Sequence, residues 1–314
     1  MTTRPVRVAL AASVRSLPRG PGLAYEPKFD GHRMVVLRTA EDVVLQARSG
    51  RTVTAAFPDL AAAARRLPAR TVLDGEVVVW HDGRTDFALV QRRAAATPAR
   101  APSLARALPA SYAAFDVLEL AGLDVRAQSY ERRRALLVDL LVPLGPPLQP
   151  VPMTTDPELA QTWYDTLPAS GIEGLVVKRL DQPYPSGRRA WRKLRHTSVR
   201  DAAAVGYTGT ARRPLALVLV LPGEEETPLL SSPLAPGLRA DLAAALRDAV
   251  AASPPGRTPS ARTTAGQPAE PPTVTAIGLG ETPYTPLDPP LAAEVRHAST
   301  RHPPPEVLRL RTDL

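Results

Sequence analysis

The chain has 314 residues, enough for one large domain or two of ordinary size. With 44% hydrophobic and 22% charged residues it can bury a core, which excludes a disordered chain, and its formal net charge of +8 favours a polyanionic partner. Cysteine is absent, so disulfides, Cys-ligated zinc and thiol nucleophiles are excluded. The histidines (His32, His81, His196, His297 and His302) are scattered, and no pair has a metal-ligand spacing. No apolar run approaches the roughly 18 residues of a membrane span. The faintly signal-like VRVALAASVRSL is interrupted by Arg15. A soluble intracellular protein is expected.

In chain order, AYEPK and HRMVVLR (32–38) read as strands flanking a tight Asp-Gly reversal at Phe29-Asp30-Gly31. VVLQA (43–47) is another strand and FPDLAAAARRL (57–67) an amphipathic helix. TVLDGEVVVW (71–80) reads as a strand, an Asp-Gly kink and a second strand. SYAAFDVLEL (111–120) alternates as a strand, and YERRRALLVDLL (130–141) has helical leucine spacing. GLVVKR (174–179) and AWRKLR (190–195) are two more strands. Tight turns between strand pairs predict an antiparallel-rich α+β domain over 1–197.

After residue 198 the texture changes. DAAAVGYTG and PLALVLVLP are strands, and LRADLAAALRDAV (238–250) is a helix with Leu238, Leu242, Leu246, Ala249 and Val250 on its core face. Residues 253–272 are Pro-rich and polar, predicting a flexible linker. TVTAIGL, AAEVRHAS and EVLRLRTDL close the chain as strands. Short strands, one helix and turn-rich connections predict a small β-barrel of the oligonucleotide-binding type over 198–314.

The chemistry centres on Lys28 in EPKFDGHR (26–33). Lys-x-Asp-Gly alone reads equally well as a hairpin turn with an exposed lysine. The ordered charged motifs at other strand ends change that. Glu26 and Arg33 flank the lysine, and Arg48-Ser49-Gly50, Asp74-Gly75-Glu76, Phe115-Asp116, EGLVVK (173–178) and WRKLR (191–195) follow. A lysine amine, with an ordinary pKa of about 10.4, is a nucleophile only when neutral. Nearby cations lower that pKa, and Lys178, Lys193 and Arg195 are the candidates. Glu76 and Glu173 are the best hard-oxygen ligands for a metal, and Phe115 offers a flat apolar face.

This order of motifs resembles the covalent nucleotidyltransferases, most closely the ATP-dependent DNA ligases of the compact bacterial type. The resemblance is dense over 23–197 and thin over 198–314. It implies an adenylation domain followed by an oligonucleotide-binding (OB) fold. It also implies that Lys28 attacks the α-phosphorus of ATP, with Mg²⁺ or Mn²⁺, to form lysyl-AMP. AMP would pass to the 5′-phosphate of nicked duplex DNA, and the 3′-hydroxyl would displace it to seal the strand, as in DNA repair. Glu26 would lie beside adenine through its backbone, Glu76 would also reach the ribose, and Lys193 would contact the α-phosphate. Arg33 and Arg48 would hold the nucleotide and the nick phosphate, with Arg188 or Arg189 as a further phosphate contact. Asp30 and Arg195 would support sealing.

The family commonly ends in Arg-x-Asp-Lys. Here Arg311 and Asp313 match, but the lysine position is Leu314, which implies a slower first step. No DNA-binding domain precedes residue 20, so weak grip on intact duplex is expected. A bacterial, cytoplasmic and nucleoid-associated monomer without membrane contact completes the reading. An RNA ligase, a GTP-using capping enzyme and a catalytically dormant nick-binding paralogue are the alternatives.

Overall fold

The structure, a computed structural model, describes residues 5–222, 227–252, 271–276, 280–298 and 304–311. The chain divides into two compact units, Met1–His196 and Thr197–Leu314.

The first unit carries eleven described strands: β1 (Leu10–Ser13), β2 (Leu23–Phe29), β3 (His32–Arg38), β4 (Val43–Ala47), β5 (Thr71–His81), β6 (Arg84–Thr85), β7 (Ala110–Leu120), β8 (Leu123–Asp124), β9 (Leu148–Pro150), β10 (Ile172–Arg179) and β11 (Arg189–Arg195). Its helices are α1 (Pro58–Ala64), α2 (Phe87–Ala94), α3 (Ala101–Ala107), α4 (Tyr130–Leu141) and α5 (Pro157–Thr166). One sheet runs β4-β3-β5-β7-β8, with β6 paired to β5 and β9 to β7, and the other runs β1-β11-β10-β2. Pairing is antiparallel except for β1 with β11 and β7 with β9. The antiparallel-rich α+β expectation is therefore borne out.

Alternation along β3 and β5 sends Met34, Val36, Leu73 and Val77 into a core shared with Phe57, Leu60 and Leu137. Helix starts follow their caps: the Asp86 carboxylate accepts from the Leu89 amide, and the Ser129 hydroxyl from the Arg132 amide.

Two readings of the sequence need correction. The Phe29-Asp30-Gly31 turn joins two sheets instead of closing a hairpin: β2 pairs with β10, while β3 pairs with β4 and β5. Gly31 is required there because a Cβ would meet the Val77 carbonyl oxygen at 2.1 Å. Asp74-Gly75 lies inside the single 11-residue strand β5, since the irregularity falls on its partner β7 instead of breaking the strand.

The second unit has β12 (Thr197–Thr210), β13 (Arg213–Val220), β14 (Leu229–Leu230), β15 (Thr273–Ala276), β16 (Gly280–Pro283), β17 (Thr285–Ala298) and β18 (Glu306–Arg311), with helix α6 (Pro236–Ala252). An antiparallel sheet runs β14-β13-β12-β17-β18, and β15 pairs with β16. Leu238, Leu242 and Leu246 of α6 join Leu217, Leu219, Val295 and Val307 in its core. Ala249 and Val250 fall outside the described side chains, and nearly all of 253–272 lies outside the described residues. β17 begins well before the expected AAEVRHAS. Its Leu287, Asp288, Pro289 and Pro290 are skipped between the pairs Gly206↔Pro286 and Ala204↔Leu291, which accommodates prolines that cannot donate to a ladder.

Candidate active site

β2 presents Lys28 to a cavity of about 200 Å³ within the first unit. The cavity wall includes Glu26, Arg33, Arg48, Glu76, Phe115, Lys178, Lys193 and Arg195, residues scattered over several strands and a loop. Two β-bulges aim the chemistry. Between the pairs Ile172↔Phe29 and Gly174↔Lys28, β10 advances two residues against one, and Glu173 is the extra residue. Gly174 makes this approach feasible at φ +146°, where a Cβ would meet the Leu194 carbonyl oxygen at 2.0 Å. Glu173 is thereby buried and accepts a hydrogen bond from the Lys28 amine. Likewise, between Asp74↔Asp116 and Gly75↔Ala114, Phe115 is the extra residue of β7, and its ring reaches the same cavity.

The Lys28 amine is lowered to about 8, chiefly by burial. Glu76 and Asp30 oppose that shift, whereas Arg195 and Lys193 reinforce it. Arg195 also stands 3.5 Å from Glu173. The Lys193 amine is itself lowered by burial and by Arg195, Arg48 and Arg189. Burial pushes the Glu76 carboxyl up to about 7, with Lys28 and Arg33 opposing. Glu76 takes no hydrogen bond or ion pair among the described residues. A half-buried, cavity-lining carboxylate of this kind suits a hard divalent cation, which binds through one or two carboxylates plus substrate phosphates. Glu173 is a weaker fit while it is engaged by Lys28 and Arg195. Among the described residues no group of three His, Asp or Glu forms a complete metal cage.

Two expected cations turn inward. Lys178 is fully buried, 2.7 Å from the Glu26 carboxylate, and donates to the Phe115 carbonyl oxygen at 2.8 Å. Its amine sits 4.3 Å from the Trp191 ring centre and 4.6 Å from that of Tyr130. The Tyr130 hydroxyl donates to the other Glu26 oxygen. Burial lowers the Lys178 pKa against the pull of Glu26. Lys178 is therefore a brace within the cavity wall, engaged by Glu26, and the cations that act on Lys28 are Arg195 and Lys193. Arg33 donates to both Asp74 oxygens at 3.0 and 2.6 Å and to the Ala9 carbonyl oxygen at 2.5 Å. Its guanidinium lies 5.2 Å from the Phe115 ring centre and 5.5 Å from that of Trp191. Burial opposes its charge, but Asp74 holds its pKa above the ordinary value. Most of the Arg33 fork is thus committed before any phosphate arrives.

Arg48 is exposed at the cavity rim. Of the two adjacent arginines, Arg189 lines the cavity and Arg188 does not, because alternation on β11 puts Arg189, Trp191, Lys193 and Arg195 on one face. That period-2 signal was present in RAWRKLR and would also have found Trp191. Tyr130 and Tyr184 had no such signal; Tyr184 donates to Asp74 at 2.5 Å and accepts from the Ala9 amide at 2.9 Å. Arg311 belongs to the second unit, where it meets Asp201 and Glu294, each at 3.2 Å. Asp313 and Leu314 lie outside the described residues.

Residues 8–195 match the family described as ATP dependent DNA ligase domain. DNA ligase C2 of Mycolicibacterium smegmatis is 38% identical over 204 residues, covering 65% of this chain and 57% of that protein. DNA ligase C of Mycobacterium tuberculosis is 36% identical over 208 residues, covering 65% and 58%. The aligned part thus spans less than two thirds of these relatives' own length. Among solved structures, a mycobacterial DNA ligase D complexed with ATP and MES is 25% identical at a TM-score of 0.52, covering 98% of this chain and 96% of that one. A Lig E DNA ligase described as binding DNA with a minimal scaffold shares the fold at 15% identity and a TM-score of 0.60, with 96% and 99% covered. The architecture is accordingly an adenylation (nucleotidyltransferase) fold followed by an OB fold. No helix among the described residues is long and apolar enough to cross a membrane. By its matched residues and its relatives, the chain belongs to the ATP-dependent DNA ligase family.

Proposed function

We propose that the protein is an ATP-dependent DNA ligase that seals nicks in duplex DNA through a lysyl-AMP intermediate on Lys28. The observation that carries this reading is the Lys28 amine itself, lowered to about 8 inside a cavity lined by arginines, lysines and Glu76. At neutral pH an appreciable fraction of that amine is neutral, whereas an ordinary lysine is almost wholly protonated. The neutral amine attacks the α-phosphorus of ATP; a P–N bond forms, the bond to the bridging oxygen breaks, and pyrophosphate leaves with that electron pair. Phosphoryl transfer depends mainly on positioning and charge neutralisation. Lys193, Arg195, Arg189 and Arg48 supply cations around the phosphates, and Phe115 and Trp191 supply aromatic surface for adenine. Glu76, joined by Glu173 once that carboxylate is released, would hold Mg²⁺ or Mn²⁺, which neutralises charge on the phosphate oxygens when bound.

AMP then passes from Lys28 to the 5′-phosphate of the nick, releasing the lysine amine. Attack by the 3′-hydroxyl forms the phosphodiester and expels AMP. Asp30, one residue from the Lys28-Phe29 strand end and electrostatically coupled to Lys28, Glu76 and Arg195, supports this last step. DNA repair is the setting that fits a nick-sealing activity. The test is sealing of a 5′-phosphorylated nicked duplex with ATP and Mg²⁺, beside GTP and beside a nicked RNA. Sealing of the DNA with ATP is expected. A lysyl-GMP adduct without lysyl-AMP, or sealing confined to RNA, would contradict the proposal.

A further inference from the structure

The β5–β7 ladder passes from Asp74↔Asp116 to Gly75↔Ala114 and leaves Phe115 as the extra residue of its bulge. An extra residue has no place in the ladder, so the direction of its side chain depends on what holds its backbone from outside the sheet. For Phe115 that hold comes from the Lys178 amine, which donates to its carbonyl oxygen at 2.8 Å. Lys178 belongs to β10, in the other sheet of the unit, so this bond ties the two sheets together at the bulge.

The amine is itself held from several directions. Glu26, a diagonal neighbour across the β10–β2 pair, meets it at 2.7 Å, and the other Glu26 oxygen accepts from the Tyr130 hydroxyl of α4. The ring centres of Trp191 and Tyr130 lie 4.3 and 4.6 Å from it. On the adjacent residue of β7, Arg133 of α4 donates to both Asp116 oxygens at 2.7 and 3.0 Å, which anchors the other side of the bulge. The half-buried Phe115 ring meets Trp191 edge-on at 5.8 Å and lines the cavity. A buried ion pair carries a desolvation cost that an apolar pair of similar size would avoid. Stability alone therefore does not account for Lys178, whereas a lysine brings the Phe115 carbonyl a donor that an apolar side chain lacks.

We infer that Lys178 is a positioning residue for the nucleotide: held by Glu26, its amine fixes the bulge that presents the Phe115 ring to the adenine base of ATP. It acts through Phe115 and not on the phosphates. The inference rests on the proposed transfer of AMP to Lys28 with Phe115 against the base.

The experiment compares the full wild-type chain with Lys178→Met, Glu26→Gln/Lys178→Met and Phe115→Ala. Lys178→Met leaves the Glu26 carboxylate buried without its cation and lowers stability, so alone it does not separate folding from positioning. The double variant removes both charges at similar volume and keeps an acceptor for Tyr130, so it is expected to regain the wild-type urea midpoint. Its Phe115 carbonyl still lacks the lysine donor. Lysyl-AMP formation is followed against ATP concentration, and binding of a non-transferable ATP analogue by equilibrium dialysis. The double variant is expected to need about tenfold more ATP for its half-maximal rate, as for a base that loses its aromatic partner, with a maximal rate within about threefold of wild type. Phe115→Ala is expected to show a loss at least as large. Inhibition by inorganic tripolyphosphate, which has no base, and the pH midpoint of the reaction are expected to stay at wild-type values. A double variant with wild-type stability and wild-type ATP dependence would overturn the inference and leave Lys178 a structural brace only. A loss that falls equally on tripolyphosphate, or a shifted pH midpoint, would overturn it too, since the amine would then act on the phosphates or on Lys28. Failure of the double variant to regain the wild-type midpoint would do the same, because the charge pair would then be needed for folding itself. A chain that binds the analogue but takes no AMP from ATP would defeat the proposed ligase activity, and the analogue affinities would then decide this inference alone.

Discussion

The two units carry their charge differently. The first unit carries surface pairs such as Arg126 with Asp124, but it also buries others: Lys178 with Glu26, Arg133 with Asp116 at 2.7 Å, and Arg33 with Asp74. In the second, the described pairs sit on the sheet surface, as Arg296 with Glu306 does at 2.7 Å. A buried ion carries a desolvation cost that only a well-matched partner offsets, whereas an exposed pair gains little because water already solvates both members. The buried pairs thus shape the protein before any chemistry. They support the wall of the cavity, and the same burial lowers the Lys28 amine.

The largest consequence is for stability. Glu26→Ala would leave Lys178 buried beneath Tyr130 and Trp191 without its carboxylate, a destabilisation of about 3–5 kcal/mol. Urea unfolding of the full chain measures it, and a change below about 1 kcal/mol would erase the contrast between the units.

An intermediate effect concerns reactivity. The rate of lysyl-AMP formation should rise with pH as Lys28 loses its proton around pH 8. Arg195→Ala removes a cation that lowers the amine, so the Lys28 pKa rises and the profile moves to higher pH, by roughly half a pH unit to one. Glu76→Gln removes a charge that raises the amine, and the profile moves the other way. The direction of the midpoint separates this account from a mere weakening of phosphate binding, which would lower the rate without moving it. The smallest effect is in the second unit, where Arg296→Ala should cost no more than about 1 kcal/mol in the same unfolding assay.

Much of the site was legible because its residues lie in short motifs whose types suit a phosphoryl-transfer centre: Lys28, Glu76, Phe115, Glu173, Lys193 and Arg195 all meet around one cavity or its wall. What the sequence did not reveal was set by partners distant in the chain. The bulges that aim Glu173 and Phe115 exist only against β2 and β5, and nothing local in EGLVVK or AAFDV marks the extra residue. The Asp-Gly turn looked like a hairpin because turn chemistry is local, while the choice of sheet depends on the close approach of Gly31 to Val77. β1 was unread because its partner, β11, is parallel and almost 180 residues away. The inward roles of Lys178 and Arg33 were hidden for the same reason, since a motif gives a residue's type and spacing but not the carboxylate it meets. The early start of β17 was not legible because Pro289 and Pro290 cannot donate to a ladder, and only the register against β12 shows that they fall in its skipped stretch.

The most direct test of the central claim is incubation of the chain with α-labelled ATP and Mg²⁺ at pH 8, wild type beside Lys28→Ala, followed by mapping of the labelled peptide. The account predicts an acid-labile label on the peptide containing Lys28, absent from the variant although its fold, followed by circular dichroism, is retained. A label that persists in Lys28→Ala, or that maps to Lys178 or Lys193, would contradict it.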